Sequence, residues 1–142
     1  MSTTGLDVFD KTLQTTNIWL DEIMKEIGPD RHLAWHVLSA VLHTLRDRVP
    51  LAVAVHLGAH LPLLVRGAYY DQWNPAPGAA HYRSLEGFLD RVGEGLHNTR
   101  PVNRTLAVAV VFSVLARHVA PGQLSKVRDA LPEDVRALWK WG

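Results

Sequence analysis

Cysteine is absent from this chain of 142 residues. The absence excludes disulfide bonds, thiolate metal sites and cysteine nucleophiles, and it fits a protein of the reducing cytoplasm. Residues 1–10 show no basic stretch followed by an apolar one, so we expect no signal peptide. The longest apolar stretch, residues 106–116, is shorter than the about 20 residues that cross a bilayer. We therefore expect a cytoplasmic protein without a membrane partner.

The chain also has little excess charge. Its formal net charge is +1, whereas nucleic-acid binding usually requires a concentrated basic surface. Arginines alternate with acids, as in Arg46-Asp47-Arg48, which favours a solvated face of mixed charge. The sequence contains no glycine-rich phosphate loop, no G-x-S-x-G elbow and no H-E-x-x-H zinc motif. We therefore expect a protein that is not an enzyme.

The chain contains many residues that typically begin or end helices. It shows no pattern typical of a strand. Gly28-Pro29 predicts the end of a first helix that Asp7 caps, because glycine accepts the left-handed conformation and proline cannot continue a helix. Asp30 and Ser84 are typical N-caps of later helices. The fold class is thus predicted to be all-α. The predicted helices span residues 7–27, 31–49, 50–60, 62–72, 84–96 and 101–119, followed by two short helices that Pro121 and Pro132 divide.

The second half of the sequence repeats the first. Residues 40–71 align with residues 110–141 without a gap, and the matches fall mostly on apolar positions at helical spacing. The Leu61-Pro62 break falls on Leu131-Pro132. The alignment predicts two tandem copies of a roughly four-helix repeat.

The predicted copies pack together into one compact domain, residues 1–142. Repeat one covers residues 7–73, repeat two covers residues 84–141, and a proline-rich linker at residues 74–83 joins them. The sixth helix is apolar nearly all round, which is typical of a central, buried helix. We therefore expect this helix at the centre of the domain.

Three segments carry a resemblance to a known family. They read V-L-H-T-L-R-D-R-V at residues 41–49, L-P-L-L-V-R-G-A-Y-Y-D-Q-W-N-P at residues 61–75 and F-L-D-R-V at residues 88–92. Over residues 9–141 the chain resembles the small bacterial proteins described as domain of unknown function 2267. The resemblance implies a compact helical bacterial protein, and it implies no activity and no catalytic or ligand residues.

Two histidine pairs have the spacing of metal ligands. His32 and His36 are four residues apart, as are His56 and His60, so each pair lies on one helical face. The second half lacks matching histidines. The alternatives are a four-histidine metal or small-cofactor site and a solvated histidine face, and we favour the solvated face with no cofactor.

The aromatic string that contains Tyr69, Tyr70 and Trp73 also has two interpretations. Tyr69 aligns with Trp139, which favours packing in the core. Several aromatics at a helix end are also typical of partner-binding patches. The partner-binding candidates from the sequence are Tyr70, Trp73, His36 and His43.

Two arginines occupy equivalent positions in the repeat, and so do two aspartates. Arg66 aligns with Arg136, and Asp21 aligns with Asp90. Because an arginine seldom enters a core unpaired, we predict structural ion pairs between Arg66 and Asp21 and between Arg136 and Asp90.

These observations favour a non-enzymatic protein-binding or adaptor module whose partner is another protein or a second copy of the chain. A histidine-based binder of a metal or small cofactor is the first alternative. A weak nucleic-acid-binding regulator is the second.

Overall fold

The computed structural model describes residues 2–139, which form eight α-helices and no strand. The helices are α1 (Asp7–Ile27), α2 (Arg31–Arg48), α3 (Leu51–Ala59), α4 (Leu63–Tyr70), α5 (Leu85–Glu94), α6 (Arg104–His118), α7 (Pro121–Asp129) and α8 (Glu133–Arg136). The predicted all-α fold class is therefore confirmed. Trp141, the last residue of the predicted second repeat, lies outside the described residues. None of the helices in residues 2–139 combines the length and apolarity that crossing a bilayer requires.

Side-chain caps set several helix starts. Asp30 and Ser84 accept hydrogen bonds from N–H groups in the first turns of α2 and α5, at 3.0 and 3.1 Å, as predicted. The predicted start of the sixth helix at Pro101 is wrong. The Asn103 side chain accepts a backbone hydrogen bond at 2.9 Å, and α6 therefore begins at Arg104.

The first helix begins at Asp7 but is not capped by it, so that prediction is also wrong. Leu6 holds the N-cap position, and its side chain makes no cap hydrogen bond. Asp10, in the first turn, accepts hydrogen bonds from Ser2, from the Thr4 hydroxyl at 2.9 Å and from the Thr4 N–H at 3.0 Å. The hydrogen bonds from Ser2 and Thr4 lower the pKa of the Asp10 carboxyl. The chain before α1 is thereby folded back onto its first turn.

One hydrophobic core contains buried side chains from both halves of the chain. Among the described residues, α6 contacts α1, α2, α5 and α7, while α2 contacts α1, α3, α4, α5 and α6. The central position predicted for the sixth helix is therefore shared with α2. The apolar face predicted for the second helix is buried throughout, and it consists of Ala34, Leu38, Val41, Leu42 and Leu45 on α2 and of Val49 at its C-cap.

Glu22 joins the two halves of the chain outside the core. Its carboxylate pairs with Arg117 and lies 2.5 Å from His118 Nε2, at the end of α6. The His118 ring stacks on Trp19 with centroids 5.5 Å apart. Because α1 and α6 lie in different halves, these contacts fasten the halves to each other.

Corresponding positions in the two halves end and begin helices in the same way. The N–H groups of Val49 and Val119 each bond to the carbonyl four residues earlier, at 3.2 and 2.8 Å. Pro62 precedes α4 with φ −57° and ψ 152°, and Pro132 precedes α8 with φ −54° and ψ 149°. These matches agree with the repeat expected from the sequence, and the superposition of the two halves stays a prediction.

Candidate functional site

The predicted ion pair between Arg66 and Asp21 is wrong. Arg66 Nη2 instead donates to the carbonyl oxygens of Leu61 at 2.9 Å and Ala59 at 3.3 Å, where α3 ends. Carbonyls at a helix C-terminus lack helical N–H partners and carry partial negative charge. The arginine therefore finds its acceptors on the main chain. Asp21, whose side chain is 63% exposed, pairs with Arg31 at 3.6 Å.

The second predicted pair, between Arg136 and Asp90, is wrong for the same reason. Arg136 Nη2 donates to the carbonyl of Leu131 at 3.3 Å. Asp90 lies 3.9 Å from Arg104, the first residue of α6. In both halves the arginine after the Leu-Pro break donates to the carbonyl of that leucine, in the turn between two helices. In both halves the exposed aspartate faces the first residue of the helix that follows its own.

The histidine pairs stay apart. His32 and His36 are exposed on α2, whereas His56 and His60 lie at the end of α3 with ring centroids 5.0 Å apart, edge to face. Within residues 2–139, no three histidine, aspartate or glutamate side chains come close enough to share a metal ion. The four-histidine site considered from the sequence is therefore not assembled in this part of the chain.

The other histidine candidate, His43, is half-buried on α2. Its Nε2 lies 2.6 Å from the carbonyl oxygen of Ala68 on α4. Since a carbonyl oxygen only accepts, Nε2 donates this hydrogen bond. The hydrogen bond of the imidazole thus connects α2 to α4.

Two adjacent tyrosines fasten α4 to α3. Tyr69 is fully buried, as predicted, and its hydroxyl donates to the carbonyl of Ala54 at 2.6 Å. Tyr70 is half-buried, and its hydroxyl donates to the carbonyl of Val55 at 3.3 Å. Gly58 leaves space for this contact, because a Cβ there would overlap the Tyr70 hydroxyl. The first part of the aromatic string therefore has a packing role.

Arg46 is the residue that sequence reasoning missed. Its mixed-charge surroundings predict a solvated side chain, but Arg46 is only 6% exposed. Its Nη1 donates to the carbonyls of Tyr69 at 2.8 Å and Asp71 at 3.2 Å, and its Nε donates to the Asp47 carboxylate at 2.8 Å. Its guanidinium carbon lies 5.6 Å from the centre of the Trp73 ring. Arg46 therefore holds the end of α4 and the start of the linker against α2.

The helical register contains a signal for this burial. Arg46 follows Leu42 by four residues and precedes Val49 by three, so it falls on the apolar face of α2. Trp73, which Arg46 contacts, also stacks on Tyr70 with centroids 5.7 Å apart and planes at 25°. Trp73 is half-buried, and it leads directly into the linker.

The linker forms one wall of a recess that we call the linker cleft. The cleft encloses about 640 Å³. Two hydrogen bonds fasten the linker to α2: the Ala80 N–H donates to the carbonyl of Asp47 at 2.8 Å, and Arg48 Nε donates to the carbonyl of Tyr82 at 2.9 Å. Its lining includes Arg46, Leu51, Trp73, Pro77, Tyr82 and Arg91.

Tyr82 packs against two arginines at one side of the cleft. The guanidinium carbons of Arg48 and Arg91 each lie 5.5 Å from the centre of its ring. A Cβ at Gly87 would come within 2.8 Å of the ring, so glycine permits this close approach. Burial raises the pKa of Tyr82 to about 12, although the positive charges of Arg48 and Arg91 oppose the rise. The phenol is therefore neutral at physiological pH.

A second recess opens between α1, α2 and α4, and we call it the α1/α4 groove. It encloses about 580 Å³. Phe9, Leu63 and Leu64 line it and are 48%, 50% and 39% exposed. Large apolar side chains around an open recess are typical of interaction sites.

The walls of this groove are fixed by hydrogen bonds. The Leu64 N–H donates to Thr12 Oγ1 at 2.9 Å, which ties α4 to α1. The contact between His43 and the Ala68 carbonyl ties α4 to α2. A Cβ at Gly67 would have no neighbour within 4 Å, so the space above this glycine is open. The groove is therefore a formed feature of the folded chain.

The apolar surface continues along α1. Leu6 and Leu13 are 52% and 42% exposed, and they lie three residues before and four residues after Phe9. This spacing puts Phe9 and Leu13 on one face of α1, and Leu6 holds the N-cap position just before the helix. The exposed apolar surface is thus larger than the groove itself.

The eight helices of residues 2–139 define an all-helical protein whose surface carries two recesses, an apolar groove and a cleft lined in part by arginines. The chain belongs to the family described as "Uncharacterized conserved protein (DUF2267)", whose sequence model matches residues 16–138. The resemblance noted from the sequence is thereby confirmed. No curated protein matches the chain.

Proposed function

We propose that the protein is a protein-binding or adaptor module whose α1/α4 groove receives an apolar segment of another protein or of a second copy of the chain. The observation that carries the proposal is the exposure of Phe9, Leu63 and Leu64 around a groove with rigid helical walls. Removing apolar surface from water contributes about 25 cal/mol per Å². A partner that covers these side chains therefore gains free energy without first reshaping the groove.

The second half of the chain supports this proposal by contrast. In the ungapped alignment, Glu133 and Asp134 stand where Leu63 and Leu64 stand in the first half. All four side chains are exposed at the start of a short helix after a Leu-Pro break. The fold therefore accepts acids at these positions, and packing alone does not require the leucines. A binding role explains why the first half exposes apolar side chains here.

An amphipathic helix is the partner segment that we propose. A groove between packed helices accepts apolar side chains spaced one turn apart along a partner helix. The rim is polar, because Ser39 and Asp71 border the groove. Exposed His36 lies one turn before Ser39 and extends that rim. The exposed carboxylate of Asp71 favours a lysine or arginine beside the apolar face of the partner.

The proposal includes a non-enzymatic role in the bacterial cytoplasm, and the partner segment belongs to another protein or to a second copy of the chain. The lack of cysteine supports a reducing compartment. It also includes the tandem repeat, which the equivalent hydrogen bonds of Arg66 to Leu61 and of Arg136 to Leu131 support.

Leu64 and Leu106 provide a matched pair of variants to test the groove. Both are leucines in the first turn of a helix and both are 39% exposed, but only Leu64 lines the groove. Affinity capture from the native bacterium recovers candidate partners, and calorimetry then measures their binding to each variant. We expect Leu64→Ser to weaken binding by about tenfold or more, as for a central interface residue. We expect Leu106→Ser to leave it unchanged.

Gly67→Arg provides a second variant, because its side chain enters open space in the folded protein. We expect this variant to keep its helix content and to lose the partner. Equal binding by the native protein, Leu64→Ser and Gly67→Arg would show that the partner binds elsewhere, and the proposal would then be wrong. Sedimentation of the purified protein, with and without Leu64→Ser, distinguishes a second copy from a different protein.

A further inference from the structure

We infer that the linker cleft is a second binding site, and that its ligand is a small organic acid with an apolar body and one anionic group. This site is separate from the α1/α4 groove, because the two recesses share no lining residue. The inference rests on three properties of the cleft: its size and fixed walls, its apolar lining, and two hydrogen-bond donors that have no acceptor within residues 2–139.

The size and walls of the cleft suit a small molecule. Its volume of about 640 Å³ lies within the roughly 300–1,000 Å³ of small-molecule pockets. The linker wall is held by the bonds of Ala80 and Tyr82 to α2. A turn adds to this order, since the Gly78 N–H donates to the carbonyl of Pro75 at 3.0 Å and Gly78 has φ 76°. The cleft is therefore a formed recess rather than a gap beneath a loose loop.

Much of the lining is apolar. Leu51, Pro75 and Pro77 are exposed on the walls, and Trp73 contributes an aromatic surface. Leu51 is 54% exposed, although it begins a helix whose other face is buried. A ligand with an apolar body would cover these side chains. The lining alone does not select the charge of the ligand, which the polar groups determine.

Two hydrogen-bond donors that line the cleft have no acceptor within residues 2–139. Arg91 contacts the Tyr82 ring, but its guanidinium makes no hydrogen bond or ion pair with any residue of the described chain. The indole N–H of Trp73 also has no hydrogen-bond partner within residues 2–139. Asp47 is the carboxylate of the lining, and Arg46 already occupies both of its oxygens, at 2.8 and 3.3 Å.

An anion supplies the acceptors that these donors lack. A guanidinium binds a carboxylate through two parallel N–H groups, and such charge-assisted hydrogen bonds are about twice as strong as neutral ones. The Tyr82 ring supports the Arg91 guanidinium, so less side-chain freedom is lost when an anion binds. The neutral phenol of Tyr82 adds no negative charge to repel the ligand.

The test uses 2-naphthoate and its uncharged analogue 2-naphthamide as probes of the ¹⁵N-labelled full chain. We expect naphthoate to shift the indole N–H signal of Trp73 and to bind at least about tenfold more tightly than naphthamide, which is the loss expected when one charge-assisted contact is removed. Arg91→Gln should weaken naphthoate binding by a similar factor. Arg83→Gln removes an exposed arginine that does not line the cleft, and it should leave the binding unchanged.

Three results would overturn the inference. The first is no binding of naphthoate at millimolar concentration. The second is equal binding of naphthoate and naphthamide, or equal effects of Arg91→Gln and Arg83→Gln. The third is a set of shifts centred on Gly67 of the α1/α4 groove instead of Trp73. Arg91→Lys, which keeps the charge, should retain part of the affinity and separates loss of charge from loss of fold.

Discussion

The guanidinium of Arg46 lies 5.6 Å from the centre of the Trp73 ring, and the same guanidinium binds the two carbonyls that end α4. A buried cation on α2 thus orders the segment where the linker begins. The linker cleft takes its shape from this contact, because Trp73 and Arg46 both line it.

Replacing Arg46 by alanine should destabilise the protein strongly. The change leaves the carbonyls of Tyr69 and Asp71 without their donor, whereas Asp47 is 46% exposed and can turn to water. We expect the free energy of unfolding to fall by about 2–4 kcal/mol. Urea denaturation measures this change. Arg83→Ala, at an exposed site, should change it by no more than about 0.5 kcal/mol, and equal effects of the two variants would contradict the structural role of Arg46.

Two helical glycines should respond to alanine in opposite directions. Gly58→Ala introduces a Cβ that overlaps the Tyr70 ring, so we expect a loss of about 1–3 kcal/mol despite the better helix propensity of alanine. Gly67→Ala meets no neighbour within 4 Å and should gain about 0.4–1 kcal/mol. Thermal unfolding of both variants checks the contrast. A gain in both would mean that Tyr70 moves away from α3 at little cost.

The helix cap of Arg66 should matter independently of Asp21. Arg66→Ala removes the donor to the Leu61 and Ala59 carbonyls, and we expect a loss of about 1–2 kcal/mol. Asp21→Ala removes an exposed ion pair worth about 0–1 kcal/mol. In a double-mutant cycle the two effects should add within about 0.5 kcal/mol. A larger coupling energy would indicate that Arg66 and Asp21 interact, as predicted from the sequence.

Tyr82 should titrate late in the folded protein. Its pKa is raised to about 12 by burial, from an ordinary value near 10. Between these values the folded state keeps a proton that the unfolded state loses. The stability contributed by the neutral phenol is therefore fully present below about pH 10 and is lost as the pH rises toward about 12.

Ultraviolet absorbance of tyrosinate measures this titration, and Tyr82→Phe identifies its share of the signal. Arg91→Gln should raise the pKa of Tyr82 further, because the Arg91 charge opposes the effect of burial. An unchanged late titration in Tyr82→Phe would contradict the assignment.

The helices and their caps follow from local sequence. Asp30 and Ser84 act where the pattern predicts, because an N-cap bonds to residues only three positions away. The buried face of α2 can also be predicted from the sequence, since the spacing of apolar residues determines which side of the helix is buried. The charge of Arg46 predicts a solvated side chain, whereas its register on the apolar face of α2 predicts burial.

The arginine partners could not be found in this way. Arg66 and Arg136 bind main-chain carbonyls, and every residue has a carbonyl, so no residue type marks the acceptor. The two recesses are also invisible in the sequence. Each recess depends on tertiary packing, which brings Phe9 and Leu64 to the same groove and sets Tyr82 beside Arg48.

The hydrogen bonds between the linker and α2 also bear on how two copies of the chain can exchange their halves. In a domain-swapped dimer the second half leaves its own first half and packs on that of another copy. The linker would then have to swing away, and each copy would give up the bonds from Ala80 to Asp47 and from Arg48 to Tyr82. These two hydrogen bonds hold the linker on α2 of its own chain, and they therefore oppose the exchange. Exchange between copies must therefore begin with detachment of the linker, which also dismantles the cleft that it encloses.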